Sequence, residues 1–338
     1  MNLVRRTLIT TILCVGLVSL AADSSAAATS CSTPADVYSS SSAQLQQCGL
    51  SQIPLTSTTP MLGGGASYNY AMPDGQVYSL YQAPVGFDPT TASPTLDEAY
   101  GIPTPPPTSS PAYTSWQRSV SGPVADPVPR PYLVTTASPL SHAGLLATPA
   151  VSNSIWAGYG QGGSGWTEAQ AWYDEPTLGV THCSNPAALF WAGIGGVNSG
   201  NLGQDGTASG SEGLHQGFFE VLPSGAAFPG LTVPAGSIVG ADVQYNGGGN
   251  YAFDIQVNGV NHLYGATGNY DGSTVEEIAE RLGPPPLLNF QSVTIDGLNE
   301  RTHQPLPSGS TEYDMTGYAT TGPLSNGTFT VTENNCAG

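Results

Sequence analysis

The chain has 338 residues, with 24 Asp or Glu against 6 Lys or Arg, a formal net charge of −18 and a pI near 4.2. All six bases are arginine, so the basic surface that nucleic acid or an anionic membrane would require is missing. Once the carboxylates are protonated few charges of either sign remain, self-repulsion stays small, and the composition suits a protein that works in acid.

Arg5 and Arg6 precede an apolar run from Leu8 to Ala22 and small residues through Ala28. That order predicts a signal peptide over residues 1–28, removed on export. The run is short for a bilayer, and no later stretch is long and apolar enough. The mature chain is therefore expected outside the cell and off the membrane. Cys14 leaves with the leader, while Cys31, Cys48, Cys183 and Cys336 remain. Four cysteines in an oxidising destination predict structural disulfides with three possible pairings. None has the close spacing of a metal or redox motif.

Residues 29–150 are rich in Pro, Ser, Thr and Gly, with Pro103–Pro111 and Pro123–Pro131 as extremes. Proline lacks an amide donor and fixes φ, so this region is expected to resist helices and regular sheets and to act as a prosegment or linker. Two exceptions are visible. Tyr68, Tyr70, Tyr78 and Tyr81 can pack locally or against the next domain, and Thr95–Pro103 can hold a helical turn or two, ended by Gly101 and Pro103. The only bases here are Arg118 and Arg130, too few for restraint of an acidic partner by charge pairing.

Residues 151–338 change character, with short alternating apolar runs separated by turn residues. Phe253, Ile255 and Val257 lead into Asn258-Gly259; Val293 and Ile295 precede Asp296-Gly297; Phe329 and Val331 follow Asn326-Gly327. Such spacing predicts an all-β antiparallel sandwich of jelly-roll or concanavalin-like form with a single core, and the mature chain is expected to be a monomer. Only Thr274–Leu282 looks helical by composition, before Gly283 and three prolines.

Generic motifs carry little here. Gly158, Gly160 and Gly163 form a G-x-G-x-x-G outside any βαβ pattern. His142, His182, His215, His262 and His303 show no ligand spacing, so neither metal nor cofactor is expected. Asn326-Gly327-Thr328 is a glycosylation sequon of low specificity.

Two polar residues stand out by context. Gln204 follows an apolar run in a Gly-rich segment, and Glu276 sits in an acidic one. A Gln amide can stabilise an oxyanion and its carbonyl can hold a water, while a carboxylate can take a proton from that water and return it to a leaving amine. Each alone is more commonly a solvated side chain.

Around them runs an ordered series of strings: NSIWAGY (Asn153–Tyr159), WAGIGG (Trp191–Gly196), NLGQDGT (Asn201–Thr207), Phe218-Phe219-Glu220 with Pro223, VPAGSIV (Val233–Val239), VEEIAER (Val275–Arg281), and Leu287 or Leu288 through Phe290 to Val293-Thr294-Ile295. The series resembles the glutamic peptidases, the eqolisin family, in order. Ala83–Pro103 also resembles the prosegment of bacterial members. The resemblance implies a secreted acid endopeptidase acting on polypeptides without metal or covalent intermediate. It makes Gln204 the oxyanion-stabilising amide, Glu276 the general base and acid, Trp191 a wall of the cleft and Glu220 an auxiliary acid lining it. Two positions depart: Ser237 replaces an acid, and Glu277 replaces the Trp after the catalytic Glu. On a strand Glu276 and Glu277 would face opposite ways, and on a helix they would stand about 100° apart. The flanking Ile278, Glu280 and Arg281 select Glu276.

Two other classes remain open from the residues. One is a carbohydrate-binding or surface-adhesion sandwich exposing Trp166, Trp172 and Tyr173. The other is a serine hydrolase whose triad is assembled in space.

Overall fold

The computed structural model describes residues 50–71, 75, 77–100, scattered positions from 102 to 124, 132–134, 151–153, 155–179, 187–197, 199–210, 215–224, 226–281, 287–299, 304–306 and 309–334. The expected leader and Cys31, Cys48, Cys183 and Cys336 lie outside the described residues.

The N-terminal region contributes β1 Leu50–Gln52, β2 Leu55–Pro60, β3 Ala66–Ala71, β4 Val77–Gln82, helix α1 Pro94–Ala99 and β5 Tyr132–Val134. The rest follows as β6 Val151–Asn153, β7 Trp156–Gly162, β8 Glu168–Asp174, β9 Ala187–Gly195, β10 Leu202–Gly210, β11 His215–Val221 and β12 Ala227–Phe228. Then come β13 Ile238–Gly247, β14 Asn250–Val257, β15 Val260–Thr267, β16 Thr274–Arg281, β17 Ser292–Asn299, β18 Gln304–Pro305, β19 Thr311–Met315, β20 Ala319–Thr321 and β21 Thr328–Glu333.

Hydrogen-bonded neighbours form one ladder. Its first half runs β1-β5-β12-β11-β10-β9-β16-β7-β19. Its second half continues β19-β20-β21-β17-β8-β13-β14-β15-β4-β3-β2. Among the named pairings only β6 with β19 is parallel. Because β19 pairs with both β7 and β20, the ladder doubles over there, and β9, β10 and β16 contact β8 and β13 across the layers. This is the all-β sandwich read from the sequence.

Side chains alternate across each strand, so each strand feeds two surfaces. Strand β9 sends Phe190, Ala192 and Ile194 between the layers, among Tyr173, Phe253 and Ile295. It sends Leu189 and Trp191 to the opposite face, where they meet Trp156, Phe218, Ile278 and Tyr313. Both faces of the first layer are thus buried, and the candidate site lies on the second of them.

Turn chemistry succeeds where the turn needs left-handed backbone. Asn258 and Gly259 take φ 51° and 80° between β14 and β15, and Asn326 and Gly327 take 51° and 81° before β21. Asp296-Gly297 is different, because β17 runs straight through it. A Cβ on Gly297 would lie 2.8 Å from Cδ of Glu277, so this glycine makes room for a neighbouring side chain rather than for a turn.

The helical expectation for Thr274–Leu282 is also corrected, since Thr274–Arg281 is strand β16. It is bonded on both sides, to β7 and to β9, and all eight residues are buried. Two ladders and burial on both faces outweigh the modest helix propensity of Glu and Ala.

The N-terminal region does not resist regular structure. β2, β3 and β4 form a meander whose last strand pairs with β15, and Pro54, Pro60 and Pro84 fall at or between strand ends. Tyr70, Tyr78 and Leu80 enter the inter-layer core, where the Tyr78 ring lies 4.9 Å from that of Phe219. Helix α1 occupies the predicted place, with Pro94 in its first turn and the Ser93 hydroxyl accepting from the Leu96 amide. Beyond it Tyr100, Ile102 and Val120 pack on Leu263 of β15. Cys31–Gly338 forms a single compact unit.

Candidate active site

Glu276 of β16 stands opposite Gly193 of β9, Gly193 opposite Gln204 of β10, and Gln204 opposite Glu220 of β11. On the other side Glu276 stands opposite Gly160 of β7, which faces Thr311 of β19. Paired residues of antiparallel strands point to the same face, so Glu276, Gln204 and Glu220 share one row. The Glu276 and Gln204 backbones are two strand spacings apart, roughly 10 Å. Both cross-strand neighbours of Glu276 are glycine, so the space beside its carboxyl is filled from further off, by Trp191 and Leu202 over Gly193 and by Tyr313 over Gly160.

The space above Gly193 is shaped by its own face. A Cβ there would lie 2.7 Å from Cζ3 of Trp191 and 2.9 Å from Cδ1 of Leu202. The Trp191 indole is pinned by a 2.8 Å hydrogen bond from Nε1 to Oε2 of Glu280, and Trp156 meets it edge-on at 5.2 Å and 75°. Glu280 lies four residues from Glu276 and therefore on the same strand face. Tyr313 continues the aromatic wall, edge-on to Trp156 at 6.0 Å and 86°.

Gln204 donates from Nε2 to Oε2 of Glu220 at 2.6 Å, which fixes the amide with its carbonyl turned away from Glu220. The carbonyl Oε1 of Gln204 is buried without a hydrogen-bond partner, and the carboxyl oxygens of Glu276 are buried with the Thr274 hydroxyl near them but outside hydrogen-bond geometry. Such groups cost free energy in a folded protein and call for a reason. Gln204, Glu220 and Glu276 are all 0% exposed. Burial pushes the Glu276 carboxyl well above the usual carboxylate range and the charge of Asp271 adds to the shift; the Thr274 hydroxyl opposes it from beside the carboxyl.

The four site residues read from the sequence thus lie on one face. Gln204, Glu276 and Glu220 form the row, and Trp191 covers the glycine between the first two. Glu220 touches Gln204, so it holds the amide rather than standing apart in a cleft. Glu277 points the other way, between the layers against Gly297, where burial and then the Glu276 charge push its carboxyl up. Sequence reasoning missed two members of the face, Glu280 and Tyr313. Glu280 was open to a period-2 count from Glu276, whereas Tyr313 arrives from a distant strand with no local signal.

Other candidates are placed elsewhere. Trp166, Trp172 and Tyr173, expected to be exposed, are 5%, 6% and 4% exposed. The Tyr173 hydroxyl bonds the Phe190 carbonyl inside the core, and the Trp172 ring lies against Gly240. Ser209, His215 and Glu175 do come together, but Ser209 Oγ at 2.9 Å and Glu175 Oε1 at 2.5 Å share the same ring nitrogen, Nδ1. A serine triad needs nucleophile and acid on opposite nitrogens, so this cluster is no relay. Gly158 and Gly160 lie within strand β7 and not in a phosphate loop.

Solved structures similar in backbone include scytalido-glutamic peptidase with a transition state analog inhibitor, at 15% identity and a TM-score of 0.45, over 53% of this chain and 98% of that one. The same peptidase with a peptide-based transition state analog gives 14% and 0.43 over the same shares. SCP-B, a member of the eqolisin family of peptidases in a complex with the tripeptide Ala-Ile-His, gives 14% and 0.40, again over 53% and 98%. No model of a known protein family matches the chain, and no curated protein matches it.

Proposed function

We propose that the protein is a secreted endopeptidase that hydrolyses peptide bonds in acid with Gln204 and Glu276. The observation that carries this reading is the row itself. A buried carboxyl and a buried amide share one face, separated by a residue with no side chain, and three of their oxygens lack partners. A water between them would donate one hydrogen bond to each, since the Gln204 carbonyl and the Glu276 carboxylate both have acceptor sites to spare.

In the proposed reaction ionised Glu276 takes a proton from that water as its oxygen attacks the scissile carbonyl. The remaining N–H of the Gln204 amide stabilises the developing oxyanion, while Glu220 keeps the amide from rotating. Glu276 then returns the proton to the departing amine. Each step uses one proton and one electron pair, and neither side chain forms a covalent bond to the substrate.

The row is closed to solvent, so substrate entry requires an opening. We take this as support for a zymogen, restrained until part of the region before residue 150 is cut or displaced. Opening would also lower the Glu276 carboxyl toward its ordinary range, because desolvation is the main cause of its rise. Export and structural disulfides belong to the same proposal and rest on the leader-like segment and the even cysteine count.

The purified protein, incubated from about pH 2 to 7 to bracket ordinary carboxylate values, should be followed by its own mass and by cleavage of haemoglobin. Self-trimming before residue 150 and haemoglobin loss confined to acid are expected. Cleavage at neutral pH only, or none at any pH after trimming, would reject the reading.

A further inference from the structure

The flank of Glu276 away from Gln204 is formed by Tyr313 of β19. Strand β7 lies between them, but it offers only Gly158, opposite Tyr313, and Gly160, opposite Glu276. A Cβ at Gly160 would lie 3.0 Å from Cε2 of Tyr313, 3.3 Å from its hydroxyl and 3.3 Å from Cγ of Glu276. The phenol tip and the stem of the carboxyl therefore border the same bare backbone, with no hydrogen bond between them in this arrangement. Tyr313 is buried, and Trp156 holds its ring from the side.

Glu276 needs a donor. Its cross-strand neighbours are glycines, its oxygens make no hydrogen bond of ordinary geometry, and the Thr274 hydroxyl two residues back on the same face is the donor beside it; an ionised carboxylate buried with so little donation is strongly disfavoured. The charged and titratable groups around it are Asp271 before β16, Glu280 on its own face, Glu220 beyond Gln204 across β9, Tyr313 across β7 and Glu277 on the opposite face. None of these supplies a cation. Burial, then the Glu276 charge, push the Tyr313 hydroxyl up, so it keeps a proton to donate.

We propose that Tyr313 is a positioning residue for Glu276, its hydroxyl donating a hydrogen bond to the ionised carboxylate on the side opposite Gln204. The bond orients the carboxylate toward the water and favours its charged form, and no covalent step is involved. The inference rests on the Gln204–Glu276 reading for its catalytic meaning, but the hydrogen bond can be tested without it.

The test compares wild-type, Tyr313→Phe and Glu276→Gln proteins. Protonation of Glu276 is followed by its infrared carboxyl band, assigned by loss of that band in Glu276→Gln. In Tyr313→Phe the midpoint should rise by about one to two pH units, the size of a hydrogen bond to a charged group. The acid limb of kcat/KM should move up with it and kcat should fall about tenfold or more, with KM and melting temperature unchanged. An unmoved midpoint overturns the proposal whether or not the protein cleaves peptides. A raised midpoint in a protein that cleaves nothing would uphold the Tyr313–Glu276 bond and retire the peptidase reading.

Discussion

Gln204 and Glu276 face the same side of one layer, and the single strand between them presents Gly193 at that level. The absence of a side chain there admits the Trp191 ring and Leu202 between an amide and a carboxyl two strands apart. Three of the predictions below follow from that relationship.

Gly193→Ala should damage the site more than the fold. The new Cβ would meet Trp191 at 2.7 Å and Leu202 at 2.9 Å. Overpacking of this kind costs about 1–3 kcal/mol. Trp191 would have to leave its bond to Glu280 or intrude on the gap. Acid proteolysis should be largely lost while the circular dichroism spectrum is kept. Full activity would show that the packing of Trp191 and Leu202 over Gly193 does not matter to the reaction.

Glu220→Gln should separate orientation from chemistry. The substitution leaves position 220 one oxygen to accept from the Gln204 amide and lets that amide turn over. A hydrogen bond between neutral groups contributes about 0.5–1.5 kcal/mol, so kcat/KM should fall roughly 2- to 10-fold. Unchanged kcat/KM would mean that the Gln204 amide does not need Glu220.

Stability should fall as pH rises. Burial raises the carboxyls of Asp205, Asp254, Glu276 and Glu277 well above their ordinary values. Below about pH 4 both folded and unfolded chains hold these protons, and the contribution is fully present. Above it the unfolded chain releases protons that the folded chain keeps, so stability declines until the raised folded values are passed. Melting temperatures recorded by calorimetry should therefore drop from acid toward neutral pH, and Glu277→Gln should flatten the slope. A melting temperature that climbs over the same range would contradict neutral buried acids.

How much of this was legible in the sequence depends on how local the signal is. Asn258-Gly259 marked its hairpin because two left-handed positions are needed there, and the opposite facing of Glu276 and Glu277 followed from the two-residue period of a strand. Strand β16 was read as helical because three glutamates and an alanine favour helix locally. Its state is set by β7 and β9, whose pairing lies far away in sequence. The same non-locality hid Tyr313. The tyrosines of β3 and β4 announced packing, but the surrounding prolines masked a meander whose strands end where the prolines begin.

That meander yields a prediction about maturation. Tyr78 is fully buried and its ring touches Phe219 in the inter-layer core. Truncating a buried aromatic side chain costs about 3–5 kcal/mol, so Tyr78→Ala should destabilise the whole chain by that amount in urea unfolding. A cut in the Pro-rich segment before residue 150 should leave residues 50–100 attached through β4 and β15, and the two pieces should co-elute on size exclusion. Clean separation without unfolding would show that the meander is dispensable.

The central claim is that Glu276 and Gln204 together activate water, and Glu276→Gln tests it most directly. The exchange keeps shape and burial while removing the carboxyl that stands next to Gly193 in the row. Casein or haemoglobin cleavage at low pH by the trimmed protein should disappear, with melting temperature held or raised because a buried carboxyl is gone. Acid proteolysis persisting in Glu276→Gln at the wild-type rate would contradict the account.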